Sequence, residues 1–341
     1  MKNNYLSLRI RIVLLLLKRK KISIKKIFNV LYCYAAYFLK LRKSAISPYL
    51  INFELWNKCN EQCVFCRTEN DDIYDHNPNG NGEYIQKGQL SFESYKDIIT
   101  QVKNHLIMAI PYVNGEPLLS KDIYKTIQCA TDNNIASMIA TNGILMNERN
   151  GEKLLRAGLD FIKIHISGFT REIHSVEHRM GDVEKIKENI RHLVRNNREG
   201  GYGILIMLDY ILYEHNKHEV EQARKFSEEL GLMFNMRKGY SKGLEHIEPA
   251  PEPEESKAHV PCDWLWTVLT VDWNGAVYPC CDYTSWSGVE SLEDFKPGHT
   301  DILKLWNGPK MVSMRNTHLT KGRTPIEICS SCNRVGVTFK L

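Results

Sequence analysis

Three cysteines lie within eight residues of one another in the segment LWNKCNEQCVFCR (55–67). They are Cys59, Cys63 and Cys66, and no fourth cysteine lies nearby. A structural zinc site uses four ligands around a tetrahedron, and a disulfide uses two cysteines. Three thiolates at this spacing would therefore leave one position of a metal centre open to a non-protein ligand.

A second group of cysteines lies in the last quarter of the chain. It comprises Cys262, Cys280, Cys281 and a Cys-x2-Cys pair formed by Cys329 and Cys332. Four thiolates with a Cys-x2-Cys pair suit either structural zinc or an iron–sulfur cluster. On these residues alone, both kinds of site remain open.

The composition is that of an ordinary globular protein. The chain has 341 residues, of which 43% are apolar and 25% charged, enough for one large domain and a small one. The apolar run IVLLLL (12–17) is too short for a signal-peptide core or a spanning helix. We therefore expect a cytoplasmic protein, in which close cysteines usually indicate metal binding or catalysis.

The first 53 residues are strongly basic. They hold twelve Lys or Arg and no Asp or Glu, so they carry +12 and the rest of the chain carries −7 of the net +5. Leu, Phe and Tyr recur at helical spacing, which predicts a basic, amphipathic extension over 1–48. Residues 1–45 could contact an anionic membrane surface, or could pack their apolar face on the main domain. No recognition motif accompanies the charge, so nucleic acid is not an expected partner.

Strand-like runs alternate with helical patterns from residue 49 to residue 247. The first run is YLINFELW (49–56), the sixth is LMFNMRK (232–238), and a long helical region is expected over about 171–198. Six strand–helix repeats predict a parallel sheet with crossover helices, here a partial (β/α)6 barrel of the TIM type. The first cysteine group follows the first strand, at the end where such barrels carry their active sites.

The pattern changes after a Pro- and Glu-rich segment, EPAPEPEES (248–256), which is the clearest linker in the chain. Two alternating runs then flank Asn274 and Gly275, a strong signal for a β-hairpin. The sequence therefore predicts a core domain over 49–247 and a small hairpin-containing domain over 257–341, which holds the second cysteine group.

The Cys-x3-Cys-x2-Cys loop, with Phe65 before its last cysteine, resembles that of the radical S-adenosylmethionine (SAM) enzymes. The resemblance implies that Cys59, Cys63 and Cys66 hold a [4Fe–4S] cluster whose fourth iron binds SAM. It also implies reductive cleavage of SAM to a 5′-deoxyadenosyl radical that abstracts hydrogen from a substrate. A flavodoxin- or ferredoxin-type protein would then supply the electron.

Further segments resemble the SAM-binding motifs of that family. NGEP (114–117) resembles its Gly-Gly-Glu-Pro motif, with Asn114 in place of the first glycine, and TNG (141–143) ends the third strand as in many members. The resemblance implies SAM contacts at Phe65, Gly115, Glu116, Asn142, Ser167 and Arg179. A plain turn at Asn142 and a solvent-exposed helix charge at Arg179 are the alternatives.

The C-terminal cysteines resemble those of the twitch domain, the shortened form of the SPASM auxiliary-cluster domain. The matching pattern is Cys-x12-Gly-x4-Cys followed by Cys-x2-Cys, and one auxiliary cluster is expected. The resemblance implies that a second [4Fe–4S] cluster is held by Cys262, Cys280, Cys329 and Cys332. The family spacing favours Cys280 over Cys281 as the ligand, and structural zinc is the alternative.

Three polar residues at alternate strand positions would face the interior of the barrel, namely Lys163, His165 and Arg237. They are candidates to bind the substrate or to move protons, or they could simply pair with one another. Relatives with one auxiliary cluster include dehydrogenases of aminocyclitols and other sugar-like alcohols. We therefore expect dehydrogenation or epimerisation of a sugar or polyol, with a peptide-modifying maturase and a non-catalytic metal-binding scaffold as alternatives.

Overall fold

The computed structural model describes residues 5–61, 63, 88–239, 260–285, 289–330 and 332. The predicted linker (248–256) and two predicted site residues, Phe65 and Cys66, lie outside the described residues. Within the ranges that are described, no helix is both long enough and apolar enough to cross a bilayer.

The basic N-terminal segment contains two helices, α1 (Tyr5–Lys18) and α2 (Ile24–Phe38). Ser23 begins α2, because its side-chain oxygen accepts a hydrogen bond from the backbone N–H of Lys26. The apolar residues that recur at helical spacing in this segment therefore lie on helices, as predicted.

Within the described residues, nine strands form one sheet in the order β6-β5-β4-β3-β2-β1-β7-β8-β9. The first six are parallel neighbours in chain order, as the strand–helix alternation predicts: β1 (Leu50–Phe53), β2 (Met108–Ile110), β3 (Ala136–Thr141), β4 (Phe161–Ile166), β5 (Leu205–Leu212) and β6 (Met233–Lys238). The others are β7 (Val268–Val271), β8 (Ala276–Tyr278) and β9 (Glu293–Asp294).

Helices connect the parallel strands, so the fold is α/β with a mainly parallel sheet. They are α3 (Phe92–Val102), α4 (Ile123–Asp132), α5 (Glu148–Arg156), α6 (Arg171–Glu177), α7 (Val183–Glu199) and α8 (Val220–Glu229). Short helices dominate the C-terminal part: α9 (Trp264–Thr267), α10 (Ile302–Trp306), α11 (Pro309–Thr320) and α12 (Glu327–Ser330).

The two faces of β4 differ in chemistry, and this difference positions the site. Ile162, Ile164 and Ile166 are buried in the core formed with α7 and the other covering helices. Lys163 and His165 alternate with them and are only half-buried. The face of the sheet away from those helices is therefore apolar at Phe161, where α1 packs on it, and polar toward the end of β4.

The helical region expected over about 171–198 is two helices rather than one. α6 ends at Glu177, and the backbone of His178 instead forms an isolated antiparallel bridge with Cys63. Gly181 follows in the connection, where an added Cβ would lie 2.7 Å from His174 Nε2. The helix therefore breaks where the chain contacts the cysteine loop.

The predicted hairpin is present, with β7 and β8 antiparallel around Asn274 and Gly275. Gly275 has a φ of +90°, and an added Cβ would lie 2.9 Å from the carbonyl oxygen of Phe295. β7 also pairs in parallel with β1, so the sheet continues from the core strands into the C-terminal hairpin. The end of β1 and the hairpin are thereby held side by side.

Candidate active site

The cysteine loop follows β1, and the structure describes two of its three cysteines. Asn142 Nδ2 lies 3.8 Å from Cys59 Sγ and 2.9 Å from Asn60 Oδ1. Cys63 Sγ lies 3.3 Å from both Glu61 Oε2 and His178 Nδ1. The third strand and the turn after α6 are therefore both in contact with the loop.

A chain of hydrogen bonds connects the cysteine loop to the end of β4. His178 Nδ1 lies 2.8 Å from Glu61 Oε2, and His178 Nε2 lies 3.0 Å from Ser167 Oγ. Donation from Nδ1 to the Glu61 carboxylate leaves Nε2 to accept the hydroxyl proton of Ser167. The ring of His174 stacks on that of His178 at 4.3 Å between centroids, which holds the imidazole in this orientation.

A buried carboxylate holds the NGEP segment through hydrogen bonds to its backbone. Glu54 is fully buried just after β1 and accepts hydrogen bonds from the backbone N–H groups of Asn114 and Gly115. Burial raises the pKa of Glu54 to about 8, although these hydrogen bonds act in the opposite direction. At Gly115, an added Cβ would lie 2.0 Å from the carbonyl oxygen of Trp56, so only glycine fits here.

Glu116 joins the NGEP and TNG segments. Its Oε1 accepts from Thr141 Oγ1 at 2.8 Å, and its Oε2 accepts from the backbone N–H of Asn142 at 3.0 Å. Glu116 is buried, and burial raises its pKa to about 7. Gly143, with a φ of +80°, then turns the chain away from the site. The structure therefore brings Gly115, Glu116 and Asn142 together beside Cys59.

Asn114, the departure from the resembled motif, has a specific partner. Its Nδ2 donates to Thr284 Oγ1 at 3.0 Å, and Thr284 Oγ1 donates to the carbonyl oxygen of Cys281 at 2.7 Å. A glycine could not make this contact. The side chain therefore ties the segment after β2 to the loop that carries Cys280 and Cys281.

A polar group crosses three neighbouring strands on the same face of the sheet. His165, Asp209 and Asn235 are register partners on β4, β5 and β6. Asp209 is fully buried; its Oδ2 lies 3.3 Å from His165 Nε2 and 2.9 Å from Arg237 Nε. The structure thus brings His165 and Arg237 together, as their strand positions predict, around an aspartate that the sequence reading did not identify.

The charges of this group influence one another. Desolvation lowers the pKa of His165 to about 3, and the cations Arg237 and Lys163 add to the effect, so the imidazole is neutral near pH 7. Burial acts to raise the pKa of Asp209, but His165, Arg237 and Lys163 together hold it below its ordinary value. The group therefore offers a neutral imidazole and two cations around one carboxylate.

The four predicted auxiliary ligands line one cavity. Cys262, Cys280, Cys329 and Cys332 all contribute to its wall, whereas Cys281 does not. Tyr283, Asp282, His318 and Arg323 complete the polar part of the lining. The convergence of four cysteines from three separate segments supports Cys280 rather than Cys281 as the ligand.

The buried thiols of this cavity fit a cationic metal cluster. Burial raises the pKa of Cys262 to about 12 and that of Cys329 to about 11, and it raises the pKa of Cys280 well above its ordinary value. Such thiols ionise when a positive metal centre offsets the burial, because the thiolate is the ligating form. The donor set of four sulfurs suits a [4Fe–4S] cluster.

The structure corrects the predicted position of Arg179. Arg179 does not lie within a helix: it follows the end of α6 and is exposed. The residue that reaches Ser167 is its neighbour His178. The sequence did not point to four residues of the site: Glu54, Glu61, His178 and Asp209. Two signals were available, namely polar residues at or near strand ends and the spacing of one helical turn between His174 and His178.

Two family models match the chain. The Radical SAM superfamily model matches residues 53–226, just over half of the chain. The SPASM model, described as an iron–sulfur cluster-binding domain, matches residues 262–333. The first match begins at the last residue of β1 and covers the cysteine loop and β2 to β5. The second covers all four cysteines of the C-terminal cavity.

Two curated proteins are similar to parts of this chain, and the chain spans less than half the length of each. The probable GTP 3′,8-cyclase of Methanocaldococcus jannaschii is 29% identical over 145 residues, which cover 42% of this chain and 45% of that protein. The S-adenosylmethionine-dependent nucleotide dehydratase of Lacinutrix mariniflava is 30% identical over 122 residues, which cover 36% of this chain and 24% of that protein.

The fold is similar to that of SuiB from Streptococcus suis. The crystal structure of SuiB bound to S-adenosylmethionine gives a TM-score of 0.62 at 13% identity, over 87% of this chain and 75% of SuiB. The structure of SuiB bound to precursor peptide SuiA gives 0.63 at 14% identity, over 87% and 72%. At this identity the likeness concerns the fold.

Proposed function

The chain belongs to the radical SAM superfamily, and we propose that it is an oxidoreductase that abstracts a carbon-bound hydrogen from a sugar or polyol. The proposed reaction is dehydrogenation or epimerisation at a carbinol carbon. We further propose that the six parallel strands curve as a partial (β/α)6 barrel around the substrate, since polar residues of β4, β5 and β6 collect on the face away from the connecting helices, beyond the part that α1 covers.

The two matched domains indicate iron–sulfur binding and the use of SAM. We assign the SAM-binding [4Fe–4S] cluster to Cys59, Cys63 and Cys66. The auxiliary cluster, which we take to be a second [4Fe–4S] cluster, falls to the four cysteines that line the C-terminal cavity. When bound, these groups supply the electron that cleaves SAM and an acceptor for an electron from the substrate.

The residues around the cysteine loop would orient SAM. The carbonyl and carboxylate groups of Gly115 and Glu116 suit its ammonium group, and Asn142 lies between Glu116 and the loop. Ser167 would lie beside the SAM carboxylate, held in position by its contact with His178, which in turn contacts Glu61. We keep Phe65 as a contact by resemblance, while Arg179 would have to turn inward from its exposed position.

The observation that carries the substrate class is the group of His165, Asp209 and Arg237 next to this SAM region. The neutral imidazole of His165 can accept a proton from a substrate hydroxyl because the Asp209 carboxylate, 3.3 Å away, would offset the charge that forms on the ring. The two cations Lys163 and Arg237 can bind hydroxyl oxygens or an attached anionic group. In the oxidation of an alcohol, the carbon-bound hydrogen atom would go to the 5′-deoxyadenosyl radical. The hydroxyl proton would go to His165, and one electron would go to the auxiliary site.

Two further observations support this assignment. Asn114 and Thr284 connect the SAM region to the auxiliary cysteine loop, so the two sites share one framework. Both curated relatives named above act, by their names, on nucleotides, which carry a sugar. We therefore include nucleotide-linked sugars in the proposed class, together with a cytoplasmic flavodoxin- or ferredoxin-type reductant.

The experiment is hydrogen transfer from a labelled substrate. Anaerobically reconstituted, reduced protein is incubated with SAM and sugars, polyols or nucleotides that carry deuterium at their carbinol carbons. Deuterium in 5′-deoxyadenosine, detected by mass spectrometry, is the expected result. If no alcohol transfers label while a peptide encoded beside the gene acquires a cross-link, the peptide-modifying alternative replaces the proposal; if SAM is never cleaved, the protein is a non-catalytic scaffold.

Asp209→Asn is expected to lower product formation by about 100-fold while SAM cleavage stays within about twofold of the wild-type rate. The carboxylate holds His165 and Arg237 in place, and an amide cannot offset the positive charge of Arg237. The measurement is the ratio of oxidised product to 5′-deoxyadenosine. Asp160→Asn is the matched control, because Asp160 is another buried, ion-paired aspartate beside a strand but lies near α1. An equal ratio in both variants would remove the proposed role.

A further inference from the structure

The N-terminal helices expose most of the large apolar side chains on the described surface. Of the fifteen such residues that are exposed, thirteen lie between Ile10 and Ile46, and the other two are Val176 and Met180. Prominent members of the N-terminal set are 53–66% exposed: Leu14, Leu17, Ile24, Phe28, Leu31 and Phe38. We call the exposed apolar side of α1 and α2 the outer face. A soluble surface rarely concentrates large apolar residues in this way without a partner.

The inner side of the same helices packs Ile12 and Leu16 of α1 against β2, β3 and β4, and buried lysines and an arginine hold it further. Lys21 Nζ and Arg19 Nη1 bind the two carboxylate oxygens of Asp160 at 2.7 and 2.8 Å. Lys26 Nζ donates to the carbonyl oxygens of Asn134 and Lys21. An extension that only packed its apolar side on the main domain would turn its lysines outward. Here several basic residues face inward and many of the largest apolar residues face solvent.

Further contacts fix the end of α2 to the C-terminal part of the chain. Trp266 Nε1 donates to the carbonyl oxygen of Leu41, and Tyr37 packs edge-on against Trp266. The buried Arg315 donates to the carbonyl oxygens of Arg42 and Leu265. The outer face is therefore presented by helices that are anchored to both parts of the molecule.

The charge carried by the N-terminal segment is entirely positive. Exposed basic residues in this segment are Arg11, Lys18, Lys20, Lys25, Lys40, Arg42 and Lys43, and the first 53 residues contain no acidic residue. Apolar side chains flanked by cations complement a surface with acyl chains below a layer of anionic headgroups. A second copy of the same face would place like charges opposite one another.

We propose that the outer face of α1 and α2 docks the protein on an anionic lipid membrane, lying in the interface rather than crossing it. The apolar side chains would enter the headgroup boundary, and the flanking lysines and arginines would meet lipid phosphates. The outer face includes no residue of the cysteine loop or of the cavity lining, so the proposal is independent of the substrate assignment.

The test is co-sedimentation of the full chain with vesicles. Phosphatidylglycerol-containing vesicles are expected to bind the protein at least about tenfold more tightly than phosphatidylcholine vesicles, and high salt is expected to weaken the binding. Leu14→Gln, Phe28→Gln and Leu31→Gln together should lower the affinity at least about tenfold, because they remove exposed apolar area without disturbing the buried contacts. Val176→Gln with Met180→Gln is the matched control and should bind as the wild type does.

Two results would overturn the proposal. Either anionic vesicles do not bind the protein at low salt, or the triple variant binds them as well as the control variant does. Sedimentation equilibrium without lipid tests the competing occupant. If the wild type and the control form a dimer that the triple variant does not form, the outer face belongs to a second copy of this chain. Unchanged thermal unfolding of both variants would show that the difference arises at the surface.

Discussion

Replacement of Cys59, Cys63 and Cys66 together by alanine is expected to abolish reductive cleavage of SAM. The variant is also expected to keep about half of the wild-type iron, which should be near eight per chain for two [4Fe–4S] clusters. The reason is that the two cysteine groups form separate sites: one follows β1, and the other lines the C-terminal cavity. The measurements are 5′-deoxyadenosine formation and iron content after anaerobic purification.

The matched control for the triple variant is Cys129→Ala. Cys129 lies on α4, belongs to neither cysteine group and is only partly buried. We expect it to keep both the iron content and SAM cleavage. Stoichiometric zinc in the wild type, without the charge-transfer absorption of an iron–sulfur protein, would contradict the cluster assignment. Full SAM cleavage by the triple variant would contradict the site.

Cys329→Ala with Cys332→Ala is expected to separate SAM cleavage from product formation. SAM should still be cleaved, because the cysteine loop and the residues around Glu116 are intact. The oxidised product should fall by at least about 100-fold, since the auxiliary site that accepts the second electron has lost two of its four ligands. Chromatography of 5′-deoxyadenosine and of the oxidised product from the same reaction measures the two steps.

Cys281→Ala is the control for this pair. Cys281 is adjacent to Cys280 in the chain but does not line the cavity, so its replacement should leave both steps unchanged. Cys329 is buried, and the double variant could unfold the C-terminal part. Cys332→Ala alone, at a less buried position, distinguishes loss of the cluster from loss of the fold. A single variant that keeps its fold and still forms product at the wild-type rate would show that the auxiliary site accepts no electron.

The local patterns of the sequence determined the chemistry of the protein and the type of its elements. The cysteine spacing and the hairpin signal at Asn274 and Gly275 are both read from residues close together in the chain. The structure confirms the hairpin, which is formed by β7 and β8. Alternation of strands and helices likewise predicted six parallel strands in chain order. These features were accessible because short-range spacing sets which side chains share a loop, a strand face or a turn.

Tertiary structure decided which distant residues meet. His178 is 117 positions from Glu61 in the chain, and it contacts Glu61 because α6 ends where the chain bridges to Cys63. Asp209 lies beside His165 because the register of β4 and β5 makes them partners. Neither contact follows from local spacing, because strand register and helix breaks depend on packing across the whole sheet.

The N-terminal segment shows the same division between sequence and structure. Its composition determined that it is basic, rich in apolar residues and helical. Which side of the helices faces the body was decided by partners elsewhere in the chain. Asp160 and the carbonyl oxygen of Asn134 draw Lys21 and Lys26 inward, because a buried ammonium group requires an opposite charge or carbonyl oxygens. The apolar side chains of the outer face are consequently left toward solvent.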